Sequence, residues 1–276
     1  NKIAFNRFNM NIDNPIVLKE KLESGLLRLT LNNPQSKNAL SEDMISALIN
    51  SIDAASNDHS IKVIIIGASG SVFCAGHDLK EITEARGGED SGDRYYKDLF
   101  DSCSSLMQLI VNCPKPIIAE VDGVATAAGC QLVASCDLAI ASDGSKFATP
   151  GVNIGLFCST PMVALSRNVH KKNAMEMLLT GDMIDCKKAK EIGLINDCVS
   201  SNDLSASVVN LAEKIASKSA KTVAIGKKAF YEQAEMSLAD AYKYTSEVMK
   251  ENLLQSDAKE GINAFLEKRT PKWDDE

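Results

Sequence analysis

Apolar positions along the chain follow two periods, and the order in which they alternate sets the architecture. Between residues 17 and 31 apolar and polar residues alternate on either side of Ser24-Gly25, a turn signal, which predicts paired strands over 17–23 and 26–31. Residues 32–37, Asn-Asn-Pro-Gln-Ser-Lys, make a loop. Ser41 then precedes Glu42 and Asp43, an N-cap with acids in the first turn, where the helix dipole favours them. Met44, Ile45, Leu48, Ile49 and Ile52 recur behind it at helical spacing. The run Val63-Ile64-Ile65-Ile66 is β-branched throughout and predicts a buried strand over 62–67.

Residues 68–77 read as a loop rich in glycine and serine, a helix opens near Asp78, and residues 86–92 have the composition of a lid-like loop. A helix over 94–112, a strand over 116–121, a helix over 127–135 and a strand over 137–141 complete a recurring strand, turn and helix unit. Crossover helices between such strands imply mostly parallel sheets. After residue 157 strands largely vanish, and helices are expected over 159–168, 171–179, 186–191, 202–217, 220–235, 237–252 and 256–268. The fold class is α/β: a tail over residues 1–15, a core over 16–200 and an α-helical region over 201–276.

Composition narrows the function. A net charge of −7 lacks the basic field of a nucleic-acid binder, and no apolar run approaches the roughly 18 residues of a membrane span. The eight cysteines form no C-x-x-C and no cluster with zinc-ligand spacing, so no metal is expected and all eight read as reduced thiols packed as small hydrophobes. Lys2 and Arg7, with no acid before Asp13, fit either the remnant of an organelle transit peptide or a disordered tail. The lean is mitochondrial.

Two stretches carry the candidate chemistry: Ser71–Glu81, S-V-F-C-A-G-H-D-L-K-E, and Val124–Leu132, V-A-T-A-A-G-C-Q-L. Each runs from a strand through small residues into a helix start, where backbone N–H groups are unpaired and the dipole is positive. Two such turns facing one another can grip a single oxygen from both sides and stabilise an enolate or tetrahedral oxyanion. Singly, each stretch is as readily a tight connector.

Together with K-N-A-L at 37–40, C-D-L-A-I-A-S at 136–142, F-A-T-P-G-V-N-I-G-L at 147–156 and the terminal A-F-L-E-K-R-T-P-K-W, these stretches resemble the enoyl-CoA hydratase/isomerase (crotonase) superfamily. The resemblance runs from about residue 16 to residue 273, with every motif in family order. Within it, T-A-A-G-C-Q-L and G-L-F-C-S-T-P are similar to a mitochondrial branch. The resemblance implies a crotonase-type spiral of ββα units, a C-terminal helical region used in assembly, and homotrimers or hexamers. Its ligands would be acyl-CoA thioesters, with coenzyme A present only as part of that ligand and no separate cofactor. By position the oxyanion donors would be the N–H groups of His77 and Ala128, the latter standing where most relatives carry glycine. Lys37, Ala39, Ala75, Asp78, Leu79, Phe265 and Lys268 fall at substrate-binding positions.

The resemblance also exposes a departure. Family hydratases use two glutamates, one to activate water and one to handle the α-proton, and their positions here hold Gln131 and Gly151. An amide can orient water but takes no proton from it, and each lost acid–base group typically costs about 10²–10⁴ in rate. If carboxylates alone are missing, Gln131→Glu with Gly151→Glu should raise hydration. Among substitutes, Cys158 and Ser159 lie near the place where dienoyl-CoA isomerases carry an aspartate, although Ser159 reads first as the N-cap of the next helix. Asp78 reads as an N-cap, His77 as a packed or surface histidine, His59 and His170 as solvated residues, and Glu81 with Glu84 as a solvated helix face. Asp122 and Asp137 should close turns or pair with backbone groups.

Three functions follow. The first is an enzyme that works through the oxyanion hole, by slow hydration, isomerisation or decarboxylation, within fatty acid metabolism. The second is an acyl-CoA-binding or scaffold protein without turnover. The third is a serine hydrolase on a related spiral, disfavoured because G-A-S-G-S at 67–71 is no G-x-S-x-G elbow.

Overall fold

The computed structural model of the protein describes residues 15–274; the tail expected over residues 1–15, with Lys2 and Arg7, lies outside them but for its last residue. The first elements are β1 (Val17–Leu22) and β2 (Leu26–Leu31), an antiparallel hairpin that sets Leu22 opposite Leu26. α1 (Glu42–Ser56) starts on Ser41, whose hydroxyl accepts the Met44 N–H, and leads to β3 (Val63–Ala68). Next come β4 (Val72–Cys74), α2 (Leu79–Arg86), α3 (Asp93–Asn112), β5 (Ile117–Val121) and β6 (Val124–Thr126). α4 (Ala128–Ser135), β7 (Leu138–Ser142) and β8 (Lys146–Ala148) complete the strand-rich part, followed by a 3-10 turn over Pro150–Ile154. Then come α5 (Pro161–Asn168), α6 (Lys171–Thr180), β9 (Ile184–Asp185), α7 (Cys186–Glu191) and β10 (Asp197–Val199). Last are α8 (Leu204–Ala216), α9 (Ala220–Gln233), α10 (Leu238–Leu253) and α11 (Ser256–Glu267).

The strands form two sheets, one ordered β1-β2-β3-β5-β7-β10 and one ordered β4-β6-β8-β9. A repeating unit sends one strand to the large sheet and a three-residue strand to the small one, and a helix follows: β3-β4-α2, then β5-β6-α4. This is the expected spiral of ββα units. The three-residue strands are absent from the sequence reading because so few residues establish no period of two. β9 and β10 likewise put two short strands between the expected helices, in a region where strands were expected largely to vanish.

β3 shows why its run is uniformly apolar. Ile64 and Ile66 join the core cluster beneath α1 and α3, whereas Val63 and Ile65 join the cluster on the other face with Val208 and Ala212 of α8. A strand covered on both faces has no position to spare for a polar residue. α8, beyond the expected boundary at residue 200, therefore acts as a layer of the core sheet.

α9 is fixed to the same body by charge. The Lys227 ammonium is buried, with Nζ donating to Asp137 Oδ2 at 2.7 Å and to the Ile110 and Lys115 carbonyls at 3.0 Å each. Asp137 also accepts the Ile117 N–H at 2.7 Å and the Tyr231 hydroxyl at 2.9 Å. Its backbone partner matches expectation; the lysine 90 residues away does not follow from the local sequence. The cysteines divide. Six are free and buried, but Cys186 and Cys198 form a disulfide between the start of α7 and β10, with Cα atoms 5.8 Å apart, which corrects the expectation of eight reduced thiols. The path of the chain through β9 and α7 brings the pair together.

Candidate functional site

The two small-residue stretches meet. Ala75 donates its N–H to the Lys37 carbonyl at 3.1 Å, and its own carbonyl accepts the Thr126 hydroxyl at 3.1 Å, tying the end of β4 to the end of β6. Gly76 has φ +95°, and a methyl group there would lie 2.9 Å from the Ala127 Cβ, 3.2 Å from the Thr126 carbonyl oxygen and 3.3 Å from the Ala128 nitrogen. Only glycine lets the first turn press this closely on the second. Gly129 does the same one layer deeper, since a Cβ there would meet the Cys74 carbonyl oxygen at 2.1 Å.

Backbone directions follow from the pairings. Leu40 and His77 form a parallel bridge, in which Leu40 N–H donates to the Gly76 carbonyl at 2.7 Å. In such a bridge Leu40 bonds the neighbours of His77, so the His77 N–H turns to the opposite side. Ala128 is the first residue of α4, and its N–H has no partner in the preceding turn of helix. Ala127, at φ +51° and ψ −119°, holds that N–H in place at a cost, because a residue with a Cβ rarely occupies this region. The helix expected from residue 127 thus starts one residue later, behind a strained position.

The ring of His77 packs away from the turn. A carbonyl only accepts, so Nδ1 carries the proton in its 3.2 Å contact with the Leu40 oxygen, and the ring stands edge-on to Phe100 at 5.5 Å between centroids. Nε2 is left as a buried acceptor without a partner, and burial holds the imidazole below the usual histidine pKa. Asp78 caps α2 as expected, its carboxylate accepting the Lys80 N–H at 2.8 Å, and Leu79 beside it is exposed. Lys37 is exposed in the left-handed region, and Ala39 is buried. Between them Asn38, of the K-N-A-L stretch, is fully buried. Its side chain accepts the Asn33 N–H and donates to the Ser69 and Val72 carbonyls, each at 2.8 Å. Asparagine in a left-handed loop was its one available signal.

Gln131 lies on the first turn of α4, buried, with an Oε1 that has no hydrogen-bond partner. Thr149 lies directly after β8, whose Ala148 carbonyl accepts the Ala127 N–H at 3.0 Å, and its hydroxyl is likewise buried and unpartnered. Gly151 has no room for a side chain, because a Cβ would meet the Leu156 carbonyl oxygen at 2.3 Å and the Cys158 sulfur at 2.9 Å. The chain has closed over the volume that a side chain at this position would take. The Gly151 N–H donates to Cys158 Sγ at 3.4 Å, and burial raises the Cys158 thiol above its ordinary pKa. Nearby Cys130 is pushed up to about 12 by burial.

Ser159 does not cap the next helix. Thr160 stands at that position without a side-chain cap, and the exposed Ser159 hydroxyl reaches only the Phe157 carbonyl at 3.4 Å. Glu81 departs from a solvated face: half-buried, it accepts the Tyr95 hydroxyl at 3.0 Å and the Glu42 N–H at 3.3 Å, while Glu84 is exposed. Phe265 is 82% exposed, and Lys268 caps α11 in the left-handed region.

Comparison with known proteins agrees with this fold. A family model described as enoyl-CoA hydratase/isomerase matches residues 21–276. The chain is 52% identical over 251 residues to the Xenopus laevis protein named enoyl-CoA hydratase domain-containing protein 3, mitochondrial, covering 91% of this chain and 84% of that protein. The Homo sapiens protein of the same name is 50% identical over 254 residues, covering 91% and 82%. Its human crystal structure superposes with a TM-score of 0.89 at 47% identity, covering 94% of this chain and all of the other. An enoyl-CoA hydratase from Mycobacterium smegmatis gives a TM-score of 0.90 at 46% identity, covering 94% and 99%. The chain belongs to the enoyl-CoA hydratase/isomerase (crotonase) family.

Proposed function

We propose that the protein binds acyl-CoA thioesters, that the His77 and Ala128 N–H groups receive the thioester oxygen, and that the site lacks the acid–base groups of a hydratase. The observation that carries this is the packing of Gly76 on Ala127 and Ala128, which brings two helix starts to one point. Backbone donors fixed by tight packing need no reorganisation when charge develops on the oxygen, and removal of one such donor typically costs roughly 3 kcal/mol.

The wall beside that point is neutral. Gln131 does not titrate, Thr149 is a hydroxyl, and Cys158 is held protonated by burial. Water-activated hydration is therefore slow, and the reactions left open are those that form the enolate without a base and draw its proton from water, such as decarboxylation. A binding or scaffold role without turnover rests on the same neutral wall. A mitochondrial location is supported by the names of the relatives. Assembly as a homotrimer or hexamer is supported by the exposed apolar side chains of Ile154, Leu156, Phe157, Leu179 and Met183.

The test is calorimetric titration with butyryl-CoA, in wild type and in Ala128→Pro. Proline is tolerated at the first position of a helix, removes the N–H and places its ring where that N–H pointed. Binding that weakens at least tenfold in the variant supports the reading. Equal affinity in both proteins contradicts it.

A further inference from the structure

Ala127 is the one alanine among the described residues with a positive φ. Ser24, Lys37 and Lys268 take the ordinary left-handed pair, with ψ between 19° and 39°, but Ala127 combines φ +51° with ψ −119°. A Cβ crowds its own backbone in that region, and such a residue persists only where its surroundings over-determine it. Both flanking peptides are pinned here. The Ala127 N–H donates to the Ala148 carbonyl after β8, and the Ala127 carbonyl accepts the Gln131 N–H of α4, each at 3.0 Å. In a trans peptide the Ala128 N–H points opposite to the Ala127 carbonyl, so the ψ of Ala127 aims that N–H off the end of α4.

The methyl group that makes this conformation costly has a neighbour. A Cβ built on Gly76 would lie 2.9 Å from the Ala127 Cβ, nearer than to any other atom, so the methyl occupies the space that glycine leaves on the facing turn. The Ala128 nitrogen follows at 3.3 Å. Gly76 directly precedes His77 and Ala127 directly precedes Ala128, so this contact lies between the residues before the two proposed donors. Glycine at 127 would relax the backbone and leave the space empty. A strain that deleting one methyl group would remove is, on this geometry, the strain of a spacer.

We propose that Ala127 is a positioning residue: its methyl group, held in a strained backbone, is the spacer that fixes the turn carrying the His77 N–H against the turn carrying the Ala128 N–H. This rests on the acyl-CoA reading above. Stability and grip on the thioester oxygen then oppose each other at this position. Glycine relieves the fold, and it frees both turns to move, so donors that were fixed in advance must be reorganised before they hold the oxygen.

The experiment compares intact wild type, Ala127→Gly and Ala127→Ser by three readouts: chemical denaturation, the absorbance band of bound crotonyl-CoA, and calorimetric titration with butyryl-CoA. Ala127→Gly should unfold at a higher denaturant concentration than wild type. It should nevertheless show about half of the wild-type band shift or less and bind butyryl-CoA roughly fivefold more weakly, short of the loss of a whole donor. Serine restores the Cβ, and the band shift lost in glycine should return with it. The band decides, because a purely structural role moves the denaturation midpoint alone. A glycine variant that is stabilised and shifts the band as wild type does makes the strain incidental and overturns the proposal. No gain in stability with glycine overturns it too, as does a folded serine variant impaired as much as glycine. If the serine variant does not fold, the glycine comparison decides alone. Wild type that neither binds butyryl-CoA nor shifts the crotonyl-CoA band overturns the acyl-CoA reading, and this proposal with it. Equal binding and equal shifts in wild type and Ala127→Gly leave that reading standing and overturn the spacer alone.

Discussion

A side chain added at Gly151 collides with the Leu156 carbonyl oxygen before it reaches the site, and that one distance, 2.3 Å, changes what a missing glutamate means here. The chain has folded over the place where the second carboxylate would lie. Gly151→Glu should destabilise the fold by about 1–3 kcal/mol, the usual cost of overpacking, measured by chemical denaturation. The double variant Gln131→Glu, Gly151→Glu should then gain no crotonyl-CoA hydration over Gln131→Glu alone. A double variant of wild-type stability that hydrates faster would show that the loop yields easily. Gln131 and Gly151 were legible as departures because a residue's identity is local. That Cys158 and a backbone carbonyl fill the vacated space was not, since it depends on a turn seven residues long closing on itself. The strain at Ala127 was hidden for a related reason: alanine announces nothing about its φ.

Elements bring a different kind of information. α2 buries no residue fully and is held by polar contacts: Glu81 to Tyr95 and to the Glu42 N–H, and the Tyr96 hydroxyl to the Ile82 carbonyl at 3.1 Å. Burial raises the Glu81 carboxyl above its ordinary value of 4.5, against the lowering effect of Tyr95. The folded state therefore holds this proton more tightly than the unfolded chain does. Any stability that Glu81 lends through its protonated form is present at low pH and is lost as pH rises through the raised value. Unfolding free energies of wild type and Glu81→Gln, followed across the acid range, should move in favour of glutamine as pH increases. A difference that is flat with pH, or that moves the other way, would show that the hydrogen bonds to the carboxylate outweigh its burial.

The Lys227 staple is the stronger case, because its charge is buried and meets a carboxylate and two carbonyls. Lys227→Met leaves Asp137 uncompensated and should cost about 3–5 kcal/mol, with faster amide exchange along α9. Loss of stability without faster exchange in α9 would show that the lysine does not dock that helix. Helix starts at Ser41 and Asp78 were legible because caps act within three residues. The docking of α9 was not, because its partner lies on the loop between α4 and β7.

At the scale of the whole molecule, the chain exposes more apolar surface than its own core accounts for. α10 buries no residue fully, and Leu238, Tyr242, Leu254, Phe265 and Leu266 are each at least 69% exposed. In the proposed homotrimer or hexamer such faces would meet other copies, and light scattering should then give a mass of three or six times 29.7 kDa. A monomer at micromolar concentration would contradict the expected assembly. The succession of α/β units and the helical C-terminal region were legible from periodicity alone. The division of strands between two sheets was not, because strands of three residues carry no pattern of their own.

Absorbance of crotonyl-CoA mixed with an excess of the protein separates a polarising site from a hydrating one, since one spectrum reports both binding and turnover. A carbonyl polarised by two backbone donors shifts the conjugated thioester band to longer wavelength, and hydration abolishes the band. A shifted band should persist for many minutes and return to its free position when Ala128 is replaced by proline. Rapid loss of the band would mean that a neutral wall suffices for hydration, and an unshifted band would mean that the two helix starts do not grip the thioester oxygen.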